Sequence, residues 1–401
     1  MKNSNLEGLR HTSGRRWWVT LLAAGFILFF ALTAILTIVP AAFPGMGANV
    51  ADGLRAVIGP KPVAELESLS FGLHDEINRF ISTFSGGQPQ INFNNQVQTA
   101  NQVPAKPSSQ SSKTSPNKPV LLNNDAAANP SQIEWQAYGP NPNGTPLMER
   151  AMVMIDPQRS YTGVALVRMD LTKLRLHLMP GTIEPGHPSQ ISRIIPDLGL
   201  VPPSDQSLLI AAFNGGFKGI HGHYGMMVNG LTILPALPNM ATVAIYKDGH
   251  VAIGAWQKNI FPSPDMIAFR QNCPSLIVDG QINPDLYLNN RMAWGYTANT
   301  DITWRTGLGI TKDGKYLIYA VSNGTSATTL ANALFDAGAY NAMQLDINQY
   351  YAHFYTYTPA NAPTASNGFS MMGQPLLDQM IYNPHLYLSP TPRDFFYLTL
   401  R

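Results

Sequence analysis

One glycine-dense stretch decides how the rest of the chain is interpreted: residues 209–230 read LIAAFNGGFKGIHGHYGMMVNG. The apolar run over 208–213 predicts a buried strand. It stops at Asn214, Gly215 and Gly216, where two residues without a Cβ let the backbone approach a ligand closely. The asparagine amide both donates and accepts hydrogen bonds, so this strand end is a candidate binding loop. A tight hairpin is the competing interpretation.

Two histidines in the same loop are further candidates. His221 and His223 flank Gly222, an arrangement that could hold a metal ion. No third ligand accompanies them at convincing spacing, so we expect no metal and no cofactor. A general acid or a contact to phosphate is the favoured interpretation of the pair.

The composition points to a turn-rich protein containing β-strands. Of 401 residues only 12% are charged, about half the usual share, and 33 Gly and 32 Pro are present. A net charge of +2 gives no reason to expect nucleic acid as a partner. With Cys273 alone, an intramolecular disulfide is excluded. This mixture is typical of an extracytoplasmic setting.

The amino-terminal segment predicts a membrane anchor. Residues 1–16 are basic, and 17–39 form an uncharged apolar run long enough to cross a hydrocarbon core of roughly 30 Å. Trp17 and Trp18 stand where an interfacial aromatic belt is expected, which predicts residues 1–16 in the cytoplasm and the remainder outside the cell membrane. A cleaved signal peptide is the alternative, although the run exceeds the usual signal core of about 7–15 residues.

Three further segments follow the predicted anchor. Residues 50–83 place apolar side chains at helical spacing and predict a juxtamembrane helical segment, broken at Pro60. Residues 84–132 are rich in Asn, Gln, Ser and Pro, which predicts a disordered polar linker. Residues 133–401 are expected to form the folded domain. The oligomeric state is left open.

The folded domain is predicted to be α+β, with a mixed β-sheet and flanking helices. Hairpins are expected where Asp248-Gly249 and Asp313-Gly314 separate apolar runs. A helix is expected over 328–337, with Ser326 or Thr328 as its cap and Gly338 as its stop. Strands outnumber helices and do not alternate regularly with them, which argues against a doubly wound fold.

Two carboxylates are candidate catalytic groups because each follows a predicted buried strand. Asp279 follows residues 276–278 and Asp346 follows 343–345, and loops at such strand ends commonly carry sites. Within about 10 Å of one another they could act as acid and base. Val278-Asp279-Gly280 is also an ordinary turn. The residues after Asp346 are not typical of a turn, so turn chemistry does not explain that acid.

An arginine and an aromatic cluster complete the candidate binding residues. Arg305 precedes the strand that begins near Gly307, where it could grip a phosphate or carboxylate with two hydrogen bonds. An ion pair with Asp301 is the alternative. Tyr350 opens a run of aromatic residues whose faces could stack on a sugar ring, although alternating aromatics on an edge strand would have the same pattern. The run comprises Tyr350, Tyr351, His353, Phe354, Tyr355 and Tyr357.

Over about residues 150–400 the chain resembles the phosphodiester glycosidase family. The resemblance is carried by 213–217, Tyr224-Gly225, Asn229-Gly230, 276–280, 305–310, Asp313-Gly314, Asn323-Gly324, Leu330-Ala331 and Leu345-Asp346. It implies hydrolysis of a sugar joined through its anomeric carbon to a phosphodiester. By the same resemblance, Asn214 and Arg305 would position phosphate and sugar, and Asp346 would act at the anomeric carbon.

The chain departs from the family pattern directly after Asp346. The family typically continues with glycines and a serine, whereas this chain has Ile347-Asn348-Gln349-Tyr350, and Lys218 stands where a second aromatic is common. Three functions are therefore weighed. The first is an anchored hydrolase acting on a sugar-phosphate substrate. The second is a non-catalytic protein that binds glycan or organises the envelope on the same fold. The third is a structural protein that assembles through residues 50–83.

Overall fold

The computed structural model describes residues 46–84, 91–94, 120–121, 133–141, 144–186, 194–288, 294, 298–360 and 369–401. The chain divides into two compact units, Met1–His74 and Asp75–Arg401. The predicted anchor at 17–39 lies outside the described residues and stays a prediction. Across the part of the chain that is described, no helix combines the length and apolar character needed to cross a membrane.

The described elements are mostly strands. The helices are α1 (Met46–Ile58), α2 (Pro60–Phe84), α3 (Pro203–Gln206) and α4 (Ala327–Asp336). The strands are β1 (Val120–Leu121), β2 (Gln136–Tyr138), β3 (Met148–Met154), β4 (Val164–Asp170), β5 (Leu174–Met179), β6 (Leu209–Asn214), β7 (Met226–Val228), β8 (Leu231–Leu234), β9 (Ala241–Tyr246), β10 (Val251–Ala255), β11 (Met266–Gln271), β12 (Ile277–Val278), β13 (Gln281–Ile282), β14 (Thr303–Ile310), β15 (Tyr316–Thr325), β16 (Asn341–Gln344), β17 (Phe354–Pro359), β18 (Met371–Pro375) and β19 (Phe395–Leu400).

The predicted helical segment 50–83 forms two helices. Gly59 separates α1 from α2 with a φ of +88°, a conformation that glycine adopts without strain. Pro60 then occupies the first helical position, where its missing N–H costs nothing. Within the first unit Val63 and Leu66 pack against Ala51, so the two helices share a small apolar contact.

Parts of the predicted linker belong to the folded domain instead. Ile91 and Phe93 are buried, and Phe93 forms a β-bridge with Leu377. Strand β1 pairs in parallel with β3. These short pieces find partners far along the chain, which their local composition does not indicate. The rest of 84–132 lies outside the described residues.

The strands form three sheets in the described residues, where a single mixed sheet was expected. The largest runs β1-β3-β4-β15-β14-β16-β12-β13, with β2 beside β3. A second runs β10-β9-β11-β7-β8, and a third runs β18-β17-β6-β19-β5. The coarser prediction of an α+β fold is confirmed. The division into sheets depends on pairings between distant segments, which the local pattern does not encode.

Turn and cap chemistry places the central elements as predicted. The Asp-Gly turns join β9 to β10 and β14 to β15 as antiparallel pairs. The Ser326 hydroxyl accepts a hydrogen bond from the Thr329 N–H at 3.0 Å, which caps α4. Leu330 and Leu334 of this helix pack in one apolar cluster with Leu166 and Ile318 of the largest sheet.

Strand β6 brings the glycine-dense loop to the centre of the molecule. It lies between β17 and β19 in the third sheet, so both its edges are hydrogen-bonded. The Phe213 ring stacks on Phe354 at 5.8 Å and on Phe396 at 5.3 Å between centroids. These contacts hold the strand end at Asn214 against the starts of β17 and β19, and they position the site described next.

Candidate active site

A cleft of about 180 Å³ opens where β6 ends. It is lined by Asn214 and Gly215, by residues of the loop 346–353 and by residues of 381–394. Asp346, Tyr350 and Arg393 are among its polar and charged lining residues. This volume is smaller than the roughly 300–1,000 Å³ typical of ligand pockets.

Both the nitrogen and the oxygen of the Asn214 side-chain amide form hydrogen bonds within the protein. Its Nδ2 donates to Thr306 Oγ1 at 3.0 Å, and its Oδ1 accepts from the Tyr319 hydroxyl at 2.8 Å. Burial raises the pKa of Tyr319 well above its usual range, so this hydroxyl stays a donor. Asn214 therefore joins β6 to the largest sheet, with little hydrogen-bonding capacity left for a ligand.

Asp346 lies in the cleft and is paired with Arg393. Its Oδ2 accepts a short hydrogen bond from Arg393 Nη2, and its Oδ1 accepts from the Asn348 N–H at 3.0 Å. The Thr306 hydroxyl donates to the Asp346 carbonyl oxygen at 2.6 Å, which couples this residue to Asn214. Asp346 is 5% exposed, so a nearly dry carboxylate faces a buried guanidinium.

The two glycines are required by close packing of a second ion pair. Asp394 Oδ2 accepts from Arg270 Nε at 2.8 Å and from the Gly216 N–H at 3.1 Å, and both charged side chains are fully buried. A Cβ on Gly215 would lie 2.0 Å from that same carboxylate oxygen, and one on Gly216 would lie 2.9 Å from Arg270 Cζ. The absence of side chains at Gly215 and Gly216 thus leaves room for the Arg270–Asp394 ion pair beneath the cleft.

Gly215→Ala is expected to destabilise the fold. The Asp394 carboxylate is held by Arg270 and cannot move aside cheaply, so we expect a loss of at least about 1–3 kcal/mol in unfolding free energy. Urea denaturation measures it. Gly324→Ala is the matched control, because the atom nearest its new Cβ lies at an ordinary contact distance of 3.4 Å. Equal midpoints for the two variants would contradict this account.

Arg305 lies outside the cleft, contrary to its predicted role. It is fully buried, and its Nη2 donates to the carbonyl oxygens of Ala298 and Asp301 at 2.8 and 3.1 Å. Nη1 donates to Gln344 Oε1 at 2.8 Å, and Nε donates to the Thr325 carbonyl at 3.1 Å. Burial lowers the pKa of this guanidinium to about 10. Arg305 ties strands and loops together and has no free edge for phosphate.

Asp279 and the histidine pair also lie away from the cleft. Asp279 is an exposed turn residue with a φ of +49°, and it accepts from Asn259 Nδ2 at 3.3 Å. Asp279 is therefore an ordinary turn residue, as the alternative interpretation predicted. It does not form an acid–base pair with Asp346. His221 is half-buried and His223 is exposed, and neither lines the cleft. The described residues contain no cluster of three or more His, Cys, Asp or Glu suited to a metal ion.

The loop after Asp346 places two aromatic side chains in the cleft. Tyr350 and Tyr351 both line it, with their rings edge to face at 5.0 Å. Arg393 Cζ lies 4.5 Å from the centroid of the Tyr351 ring, a cation–π contact. The bulky residues that replace the glycines of the family pattern therefore form one wall of the site. Tyr350 lines the same cleft as Asp346, and its predicted contact with a sugar stays a prediction.

His353 is a buried, neutral histidine in the wall of the cleft. It lies just before β17, and burial lowers the pKa of its imidazole to about 4. Its Nε2 has no hydrogen-bond partner among the described residues. His177, on β5, also has its pKa lowered to about 4 by burial. Both side chains are uncharged at neutral pH.

These histidines predict a loss of stability in acid. An unfolded histidine has a pKa of about 6.5, whereas these two have a pKa of about 4 in the folded protein. Between these pH values the unfolded chain therefore binds protons that the folded chain does not bind. The unfolding free energy should fall as pH drops from about 6.5 to 4, by up to ~1.4 kcal/mol per pH unit for each histidine. Urea denaturation across this range measures the slope. His353→Gln should reduce it and leave pH 7–8 behaviour flat; an unchanged slope would contradict the assignment.

The charged pair before the last strand was not predicted from the sequence. Arg393 and Asp394 directly precede the apolar run of β19, so they also stand at the edge of a buried strand. Asp279 and Asp346 were selected because each follows a strand, and that rule does not select Asp394, which precedes one. Nothing local indicates that Arg393 reaches Asp346, because the pair is 47 residues apart.

Residues 207–346, about a third of the chain, match the phosphodiester glycosidase family. No curated protein matches this chain significantly. Among solved structures, the zebrafish N-acetylglucosamine-1-phosphodiester alpha-N-acetylglucosaminidase catalytic domain, auto-inhibited by its pro-peptide, is 19% identical with a TM-score of 0.41. The likeness covers 67% of this chain and 88% of that one. A hypothetical protein from Synechocystis is 10% identical with a TM-score of 0.39, covering 67% and 64%.

Structural likenesses at such TM-scores carry no weight for fold or function. The family match ends at Asp346, so it includes Asn214 and the acid of the cleft but not Arg393. The resemblance inferred from the motifs is confirmed for this segment: residues 207–346 of the chain match the phosphodiester glycosidase family.

Proposed function

We propose that this protein is a hydrolase that cleaves a sugar-1-phosphodiester, with Asp346 acting at the anomeric carbon. The observation that carries the proposal is the position of Asp346 in a cleft, 5% exposed and paired with the buried Arg393. The family match over 207–346 supports the class of substrate. An aspartate carboxylate in this position can accept a proton from an attacking water molecule.

The proposed reaction needs only one carboxylate, Asp346. A water molecule attacks the anomeric carbon and Asp346 accepts one of its protons. The bond from that carbon to the phosphate oxygen breaks, and its electron pair leaves with the phosphomonoester. Phosphate is a good leaving group and needs no general acid. Asp394, the other carboxylate of the cleft, is held by Arg270 and the Gly216 N–H, consistent with a supporting role.

The test uses the full-length chain, because the second unit begins at Asp75 and buried residues near 91–94 pack on the domain. Purified protein is incubated with a panel of sugar-1-phosphodiesters, and free sugar and phosphomonoester are measured. We expect equal amounts of both products. The matched control panel carries the same sugars as uncharged glycosides, which should react far more slowly. No release from any phosphodiester would contradict the proposal.

Glycan binding without turnover is the second candidate function. Tyr350 and Tyr351 line the cleft where the family pattern has glycines, and aromatic faces suit the C–H surface of a sugar. Under this alternative the chain binds glycan, releases no sugar, and keeps its affinity in Asp346→Asn. The same incubations followed by a binding measurement separate the two functions.

We further propose that residues 17–39 anchor the protein in the cell membrane, with 1–16 in the cytoplasm and the folded domain outside. The support is the apolar run behind a basic segment. The substrate would then be an envelope or extracellular glycan. Protease added to intact cells should remove the domain and leave a short protected fragment. A domain that stays protected until the cells are lysed would contradict this orientation.

A further inference from the structure

The residues expected to contact phosphate are not available for it. Asn214 uses its amide to bind Thr306 and Tyr319, and Arg305 uses its guanidinium to bind backbone carbonyls and Gln344. A site for a phosphodiester nevertheless needs a donor-rich cation near the acid. The cleft contains one arginine, Arg393, whose hydrogen bonds leave part of it unused.

Arg393 has five N–H donors, and the protein accepts from only some of them. Nη2 donates to Asp346 Oδ2 and to the Gly216 carbonyl oxygen, the latter at 2.9 Å. Nε is buried without a hydrogen-bond partner. In the described chain no carbonyl or carboxylate oxygen accepts from Nη1. The Tyr351 ring covers one face of the guanidinium plane.

The charge of Arg393 is retained although the side chain is buried. Burial lowers its pKa, but the neighbouring Asp346 and Asp394 outweigh that effect and raise it overall. Asp394 is already paired with Arg270 at 2.8 Å, so Arg393 has Asp346 as its direct anionic partner. His353 lines the same cleft as a neutral group whose Nε2 is unpartnered. Arg393 Nε and His353 Nε2 thus lack hydrogen-bond partners among the described residues, in two side chains that line one cleft.

We propose that Arg393 is the phosphate-binding residue of this site: Nη1 binds the phosphate while Nη2 holds Asp346. His353 supplies a second, uncharged hydrogen-bonding group to the same ligand. One rigid guanidinium then sets the separation between the phosphate and the carboxylate, and so brings the anomeric carbon attached to that phosphate next to Asp346. The identity of the ligand rests on the proposed function, whereas anion binding by Arg393 is tested without turnover.

The test measures the affinity of inorganic phosphate by calorimetry for three full-length proteins. These are the wild type, Asp346→Asn and the double variant Asp346→Asn/Arg393→Gln. We expect Asp346→Asn to bind phosphate at least as tightly as the wild type, because a nearby negative charge is removed. The double variant should bind about 10- to 100-fold more weakly, since charge-assisted hydrogen bonds are lost.

The double variant removes both charges of the pair and so avoids leaving one buried and unpaired. Arg393→Lys in the Asp346→Asn background keeps the charge but not the planar fork, and it should bind phosphate with intermediate affinity. Lys247→Gln in that background removes a surface cation and should change nothing. Equal phosphate affinity for the single and double variants, or no binding by either the wild type or Asp346→Asn, would overturn the proposal.

The outcomes separate this proposal from the hydrolase proposal. Phosphate binding that depends on Arg393, in a chain that releases no sugar, keeps the anion site and contradicts hydrolysis. Sugar release by the wild type, with phosphate affinity independent of Arg393, keeps the hydrolase and contradicts the anion site.

Discussion

Asp346→Asn should lower the rate of sugar release from a sugar-1-phosphodiester by about 10²–10⁴-fold. The amide keeps the shape of the carboxylate and can still accept the hydrogen bond from the Asn348 N–H. It cannot take a proton from water or bear the negative charge that faces the anomeric carbon. The loss should appear in kcat, because the groups proposed to bind phosphate remain. Steady-state kinetics with the full-length protein measure it.

Asp279→Asn is the matched control for this change. The residue is an exposed turn acid with a positive φ of 49°, a conformation that asparagine tolerates, and it lies outside the cleft. Its substitution should leave the rate within about twofold, because no contact to the cleft is altered. A thermal melt of Asp346→Asn checks that the loss reflects chemistry and not unfolding, since Arg393 loses its direct anionic partner. A rate close to wild type for Asp346→Asn would remove this residue from the mechanism.

Arg270→Met should cause the largest loss of stability of any substitution considered for this protein. Asp394 would remain buried without its direct ion-pair partner, and breaking a buried ion pair by removing one partner costs about 3–5 kcal/mol. The Arg270 guanidinium also donates to the carbonyl oxygens of Phe217 and Tyr224, at 2.6 and 3.1 Å. The strand end at Asn214 should loosen as a result.

The measurement is a urea titration followed by tryptophan fluorescence. Lys247→Met breaks an ion pair of the same type at the surface, where the lysine and Asp265 side chains are 61% and 71% exposed. Exposed pairs contribute roughly 0–1 kcal/mol, so this control should shift the midpoint little. If both variants shift the midpoint equally, the Arg270–Asp394 pair does not support the site.

Several features of the fold follow from local chemistry and were predicted. The Asp-Gly turns form the β9–β10 and β14–β15 hairpins, and Ser326 caps α4. Each depends on residues a few positions apart, so the chain itself supplies all the information. The position of Asp346 at the rim of a sheet could also be predicted locally, because a carboxylate just beyond a buried strand lies at that rim whichever strands are its neighbours.

The role of each arginine could not be predicted in this way. Arg305 lies within β14 and Arg393 lies just before β19, and nothing local separates a structural arginine from one in a cleft. Arg305 reaches the Thr325 carbonyl oxygen only after β14 pairs with β15, whereas the carbonyl oxygens of Ala298 and Asp301 belong to the segment just before β14. Arg393 reaches Asp346 only because β19 pairs with β6, which brings Phe395 opposite Asn214.

The amino-acid sequence by itself determined the strand-rich α+β character, the turns and caps, the glycine loop after β6 and the family resemblance. These depend on side-chain size, backbone freedom and apolar periodicity over short distances. The tertiary structure alone decided that the two glycines admit an Arg270–Asp394 pair, that Asp279 stays at the surface, and that Arg393 is the cation beside Asp346. Hydrogen bonds and ion pairs between residues tens to more than a hundred positions apart exist only once the sheets have assembled.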